Sequence, residues 1–221
     1  MAIRFAQPYR FSEQQLARMA EAGVVPRAGT QLVDGVPYRA GSPIRFSGED
    51  YERLGEAGVL GTDERVELIG GEVIAMSPVG GPHSTGVFDL DDYLHAAVGP
   101  DVRVTMNANL RLPDGSYVVP DLMLLRRDEV ARGTLPSPEA CTLVVEVADS
   151  SVEFDRHDKR EIYACAAIPE YWVVDLTRKT LVQHLGPGSG NYHSVNEYPR
   201  GSSFTSPALA GQVVRVDDLL S

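Results

Sequence analysis

Asp121, Glu146 and Lys159 are three residues whose types and spacing could act on a phosphate. Asp121 follows VVP (118–120) and precedes LMLL, while Glu146 interrupts LVVEVA (143–148). Both stretches read as buried strands, since short apolar runs bounded by turn formers suit a covered sheet strand. A carboxylate in such a strand is costly unless a cation lies beside it. Two residues after Glu146, on the same strand face, stands only Ala148. The helix that follows offers the charge instead. Asp155, Lys159 and Tyr163 are four apart and line one helix face, at about 6 Å of rise per step. A lysine's four-carbon stem can carry its ammonium from there over the strands. Two acids on neighbouring strands, with the main-chain carbonyl of Val147, suit Mg²⁺, a hard ion that prefers oxygen and retains several waters. Such an ion polarises a phosphoryl group and acidifies a bound water, and an ammonium beside it orients that water or offsets growing negative charge. The chemistry pointed to is phosphodiester hydrolysis.

Each residue also has a plainer reading. Asp155 and Lys159, acid first at i and i+4, would serve as an exposed helix pair worth a few tenths of a kcal/mol. Asp121 would serve as a turn acid after Pro120, and Glu146 as a sheet-edge acid facing solvent. The combination carries the hypothesis, and no single residue does.

The elements that must hold these groups begin at His83, after which Val87, Leu90, Leu94 and Val98 recur at helical spacing. VRVTMNANLRL (102–112) and SYVVPDLMLL (116–125) read as two strands of a hairpin turning at Asp114-Gly115. A charged, Pro-containing surface connection (126–140) leads to the strand TLVVEVA (142–148), a helix over 155–167 and the strand YWVVDL (171–176). The order is a mixed α/β domain, one sheet flanked by helices. TLVQHL, YHSVNEY and VVRV near the C-terminus read as edge or accessory strands, with His184 and His193 exposed or structural.

Upstream, YRFSEQQLARMAEAGVV (9–25) aligns with IRFSGEDYERLGEAGVL (44–60) at 8 of 17 positions. Both copies read as a helix capped by Ser12 or Ser47 and stopped by Gly23 or Gly58. Each leads to a hairpin, turning at Asp34-Gly35 or Gly70-Gly71. Residues 1–43 are therefore expected to be a duplicated helix-plus-hairpin extension, and 44–221 the main domain. Two copies are too few for a solenoid.

The chain has 221 residues, 43% of them hydrophobic, enough for a substantial core. Its net charge of −11 argues against a broad electrostatic grip on nucleic acid, though not against a small basic rim or a metal-filled cleft. No apolar run approaches a membrane span, and the first residues lack the order of a secretory signal, so a cytoplasmic location is expected. Cys141 and Cys165 match no metal-ligand spacing and are expected to be reduced core residues. No Gly-x-Ser-x-Gly elbow or Cys-His pairing supports a hydrolase that would use His83 as general base.

Val-Pro-Asp (119–121), Val-Glu-Val (145–147), Asp155, Lys159, Tyr163 and PEYWVVD (169–175), with RVELIGGEVIAMSP (65–78) and His83, resemble the Uma-type putative restriction endonuclease family, a branch of the PD-(D/E)xK nuclease superfamily. The resemblance runs from about residue 44 to the C-terminus. It implies a restriction-endonuclease-like helix-strand-strand-strand-helix-strand core with extra β-hairpins, cleavage of nucleic acid with Mg²⁺ (Mn²⁺ as a substitute), DNA as the expected partner, and a homodimer. It puts Asp121 and Glu146 on the metal-binding acids and Lys159 on a lysine displaced to the helix. The superfamily's Glu-x-Lys is absent, because Glu146-Val147-Ala148 ends in alanine. Glu67 and His83 fall on motif positions as supporting residues, with Asp155 and Tyr163. The alternative is a catalytically silent nuclease-fold protein that acts as a binding or assembly module.

Overall fold

The computed structural model describes residues 3–131 and 133–220. Met1 and Ala2 of the expected extension, Arg132 of the surface connection and Ser221 lie outside the described residues. The chain forms two compact units, one of residues up to 78 with 113–118, the other of 79–112 with 119 onward.

Both repeat copies belong to the first unit and fold alike. Ser12 and Ser47 cap the helices Glu13–Glu21 and Gly48–Glu56, in capping boxes closed by Gln15 and Asp50. Each box satisfies two backbone donors that a helix start leaves without partners. Each helix leads to a hairpin, Thr30–Val33 with Val36–Arg39, then Val66–Ile69 with Glu72–Ala75. The turn residues Asp34, Gly35, Gly70 and Gly71 all have positive φ, as a two-residue turn matched to strand twist requires. Tyr117 pairs with Leu68 at the edge of the second hairpin. Phe11, Met19, Val25, Phe46, Leu54 and Leu60 share one core here.

The second unit is built on a six-stranded sheet in the order Tyr192–Pro199, Thr180–Pro187, Glu170–Asp175, Cys141–Ala148, Leu122–Arg126, Val102–Met106. Its pairs are antiparallel except Cys141–Ala148 with Glu170–Asp175, which run parallel. A parallel neighbour needs a crossover, and the helix before Glu170 supplies it. With the helix Gly81–Ala97 in front, the chain follows the expected helix-strand-strand-strand-helix-strand order.

Alternation along Cys141–Ala148 decides what each sheet face carries. Leu143, Val145 and Val147 join Leu122, Leu124, Trp172 and Val174 against Val87, Leu90 and Leu94 of the long helix. Gly86 lets that helix approach closely, since a Cβ there would lie 3.3 Å from Val147 and Leu176. Val144, Glu146 and Ala148 point to the opposite face. The strand is therefore central, and the sheet-edge reading of Glu146 does not hold: its side chain is 4% exposed.

Three sequence expectations change. The two long hairpin strands are each broken, into Val102–Met106 and Leu110–Arg111, and into Tyr117–Val118 and Leu122–Arg126. Asn107 takes a left-handed φ of +49° at one break, and Pro120, which has no N–H for a ladder, stands at the other. Cys165 is exposed, on the outward side of its helix, while Cys141 is buried. For His184, expected to be exposed or structural, burial at 2% exposure excludes the exposed alternative. Ser203–Ser206 and Gln212–Arg215 form a separate two-stranded sheet. Among the described residues, no helix is long and apolar enough to cross a membrane.

Candidate active site

The break at Pro120 sets Asp121 one residue ahead of its strand, where its backbone no longer follows the ladder. Its carbonyl accepts from Asn107 N–H at 3.0 Å, across the matching break. Its carboxylate turns to the central strand, and Oδ2 accepts from Val147 N–H at 2.8 Å. His83 Nε2 lies 3.2 Å from the same oxygen. Oδ1 has no hydrogen-bond partner among the described residues. Asp121 N–H in turn points to Glu146 Oε2 at 3.4 Å. Each acid is thus held by the backbone of the other's strand, and both are 4% exposed.

Glu146 Oε1 receives a cation from the helix. Lys159 Nζ donates to it at 2.8 Å, and Tyr163 OH donates to it at 2.6 Å. Lys159 is 2% exposed, with its ammonium 5.7 Å from the ring centroids of Phe154 and Tyr163. The two aromatic faces and the Glu146 carboxylate stand in for part of its water shell. The helix differs from the regular α-helix that its spacing suggests. It opens with a π-type turn, Phe154–Lys159, and continues as α from Arg160 to Cys165. Such turns insert an extra residue per hydrogen-bonded ring and are frequent at functional sites. Here three charged residues of that turn, Asp155, Asp158 and Lys159, are buried together.

Asp155 stands on the same helix face. Ser151 Oγ donates to its Oδ2 at 2.5 Å, and its carbonyl accepts from Tyr171 OH at 2.9 Å. Burial, and then the charge of Glu146, pushes the Asp155 carboxyl well above its ordinary value, against the pull of Lys159 and Ser151. Both causes act against the charged form of the carboxyl.

The family profile described as a putative restriction endonuclease, Uma2, matches residues 49–217. The chain belongs to this family. A crystal structure from Anabaena variabilis, described as a putative nuclease belonging to DUF820, is similar in fold. Its TM-score is 0.64 at 15% identity, over 79% of this chain and 97% of that one. No curated protein matches the chain. The restriction-endonuclease-like core is therefore the fold of this Uma2 chain.

Asp121, Glu146, Lys159, Tyr163 and His83 converge within the second unit. Asp155 lies on their helix, and Val147 contributes its N–H to Asp121. Glu67 belongs to the first unit, where it is fully buried; together with burial, its charge pushes the Tyr51 phenol up to about 12. His83 does not cap its helix, which has Gly80 at its N-cap and no side-chain cap. Sequence reasoning overlooks Ser151, Tyr171 and Asp158. Ser151 and Asp155 stand at i and i+4 and Asp158 falls on the buried helix face, so spacing carried a signal for both. Tyr171 is one apolar-run residue among several and carried none.

These residues fit a hard divalent cation. Asp121 Oδ1 has no hydrogen-bond partner among the described residues, Glu146 Oε2 lies 3.4 Å from the Asp121 amide, and both are oxygen donors next to the Val147 main chain. Among the described residues, no group of three or more His, Cys, Asp or Glu is arranged to hold a metal. Two carboxylates and a carbonyl make a smaller donor set, which suits an ion that keeps several waters, as Mg²⁺ does.

Proposed function

We propose that this chain is a metal-dependent endonuclease that hydrolyses phosphodiester bonds of nucleic acid, with DNA as its substrate. Asp121 and Glu146, with the Val147 carbonyl, would hold Mg²⁺, for which Mn²⁺ can substitute. When bound, the ion supplies Lewis acidity at a phosphoryl oxygen and a more acidic water. Lys159 orients the attacking water or offsets charge as it builds on the phosphate. Tyr163 keeps a hydrogen bond on Glu146 Oε1 while Lys159 turns toward that water, so the carboxylate oxygen is not stripped of donors. His83 fixes the Asp121 carboxylate through Oδ2. Asp155, through its bond from Ser151, anchors the π-type turn from which Lys159 projects.

The observation that carries this reading is the 2.8 Å contact between Lys159 Nζ and Glu146 Oε1, made from the helix to a buried strand acid that adjoins a second one. Plasmid nicking with Mg²⁺ or Mn²⁺ tests it. Asp121→Ala, Glu146→Ala and Lys159→Ala should each lower the rate by about 10²-fold or more, as loss of a preorganised charge does. If all three keep full activity, the residue assignment is wrong.

The second reading, a silent nuclease-fold module, is favoured by the net charge of −11. Calorimetry separates the two. Mg²⁺ should bind the wild-type chain with heat that disappears in Glu146→Ala, whereas a silent module shows no such difference.

A further inference from the structure

The duplicated unit is more than two similar pieces side by side. Gln7–Pro8, ahead of the first helix, pairs with Glu72–Ala75 of the second hairpin, matching Gln7 to Ala75 and Pro8 to Ile74. Ser42–Pro43, ahead of the second helix, pairs with Val36–Arg39 of the first hairpin, matching Ser42 to Arg39 and Pro43 to Tyr38. The two sets are equivalent under the repeat. Hydrogen bonds follow the same rule: Tyr9 N–H to Val73 O and Ile44 N–H to Pro37 O run between copies, both at 2.8 Å. Within each copy, Phe11 N–H reaches Gly35 O and Phe46 N–H reaches Gly71 O, again both at 2.8 Å.

Where residue i of one body touches j of the other, and j touches i, the interface is isologous, the signature of a two-fold dimer. Residues on such an axis meet their own equivalents. Phe11 and Phe46 do so, with ring centroids 6.1 Å apart. The shared core is likewise made of equivalent residues, Met19 with Leu54 and Val25 with Leu60, none more than 8% exposed. The second hairpin has a strand edge and an apolar face, and what covers them is the first copy.

We infer that residues 7–41 are a built-in partner: they occupy, within one chain, the self-complementary face that a second helix-plus-hairpin copy would otherwise cover. This unit is a dimer folded into one polypeptide, closed to further pairing at that face. A homodimer of the whole chain must then use another surface.

Cross-linking and mass measurement on the full chain test this. In a Cys165→Ser background, Gln7→Cys with Ala75→Cys places thiols at exposed, directly opposed strand positions, about 4.5–5.5 Å apart at Cα and within disulfide reach. Oxidation should give a product at the monomer mass of 24.0 kDa. Mixing the Gln7→Cys chain with the Ala75→Cys chain, in which the other thiol is the buried Cys141, should give no cross-linked dimer. Dimeric cross-links would show that the copies pair between chains and would overturn the inference. The second arm uncovers the face with Phe11→Asp and Met19→Asp, which undo the first copy. Light scattering should then show the mass rising toward twice the monomer's with concentration, and wild type should not respond through this unit. If that variant stays monomeric, while the cysteine pair still closes within one chain, the first copy is a mere appendage and the built-in-partner reading fails.

Discussion

Lys159 has exchanged water for one carboxylate oxygen, one phenol and two ring faces, an exchange that holds only while Glu146 stays charged beside it. Breaking a buried ion pair from one side leaves the other charge uncompensated, at a cost of about 3–5 kcal/mol. Lys159→Met should therefore lower unfolding free energy in urea by roughly that amount at pH 7 in the absence of divalent ions. Millimolar Mg²⁺ should return part of the loss, because a cation held by Asp121 and Glu146 again offsets their charge; a variant indifferent to Mg²⁺ would count against the metal site. Asp155 gives a second prediction at this scale. Its folded-state pKa is raised, chiefly by burial and next by Glu146. The sign follows from linkage: a raised acid favours the folded state below its ordinary value of 3.8, and that contribution is lost as pH rises through the folded value. Asp155→Asn cannot ionise. The stability of the Asn variant relative to wild type should thus rise as pH climbs above 3.8 and level off beyond the folded value in parallel urea titrations, and a flat difference would refute the raised value.

Among the elements, the strands Glu170–Asp175 and Thr180–Pro187 are locked by a buried imidazole. His184 Nδ1 lies 3.2 Å from Tyr171 O, which makes it the protonated nitrogen of a neutral ring. The ring stacks on Tyr171 at 5.1 Å and meets Tyr192 at 5.5 Å. Burial first, and then the guanidinium groups of Arg160 and Arg156, push its pKa from 6.5 down to about 4, against the Tyr171 bond. A lowered histidine binds its proton more readily unfolded, so its contribution is complete above 6.5 and is lost as pH falls toward 4. The full loss is on the order of 3 kcal/mol. His184→Phe keeps the stacking without the titration, and its stability should fall less steeply over that window in thermal melts at closely spaced pH values. This strand also marks where the sequence is legible and where it is not. The alternation of Leu143, Val145 and Val147 against Val144, Glu146 and Ala148 reads directly as two covered faces, and the i, i+4, i+8 spacing of Asp155, Lys159 and Tyr163 reads as one helix face. The capping serines and glycine turns of both repeats are equally plain, because their chemistry is local. The π-type turn is not legible, since an i to i+5 register is selected by what packs beneath it. The break at Asn107 is hidden for a similar reason: only the tertiary pairing with Asp121 makes a left-handed asparagine worth its strain. Four donors converge on the buried Glu170 carboxylate, from Trp172, Gln183, Ser206 and Ala208. That too is invisible in sequence, because its partners lie on separate elements.

For the whole molecule, the question is how a chain with net charge −11 could work on a polyanion. A protein that grips DNA through six to ten phosphate contacts releases as many counterions and loses about 10³–10⁵ in affinity between 50 and 200 mM salt. On the proposed nuclease reading the long-range field repels the substrate, so the attraction would come from the few groups at the site and from a divalent ion bound there. Added monovalent salt then has two opposed effects, screening the repulsion as well as the local contacts. The Michaelis constant for DNA nicking should accordingly change by less than about tenfold across that salt range at fixed Mg²⁺, with kcat nearly constant. It should respond far more to the divalent concentration, since an ion held by Asp121 and Glu146 would offset their charge and supply positive charge for the phosphate. A steep, many-fold rise with monovalent salt would instead show a concentrated basic surface gripping the duplex, and the binding step would have to be reassigned to it.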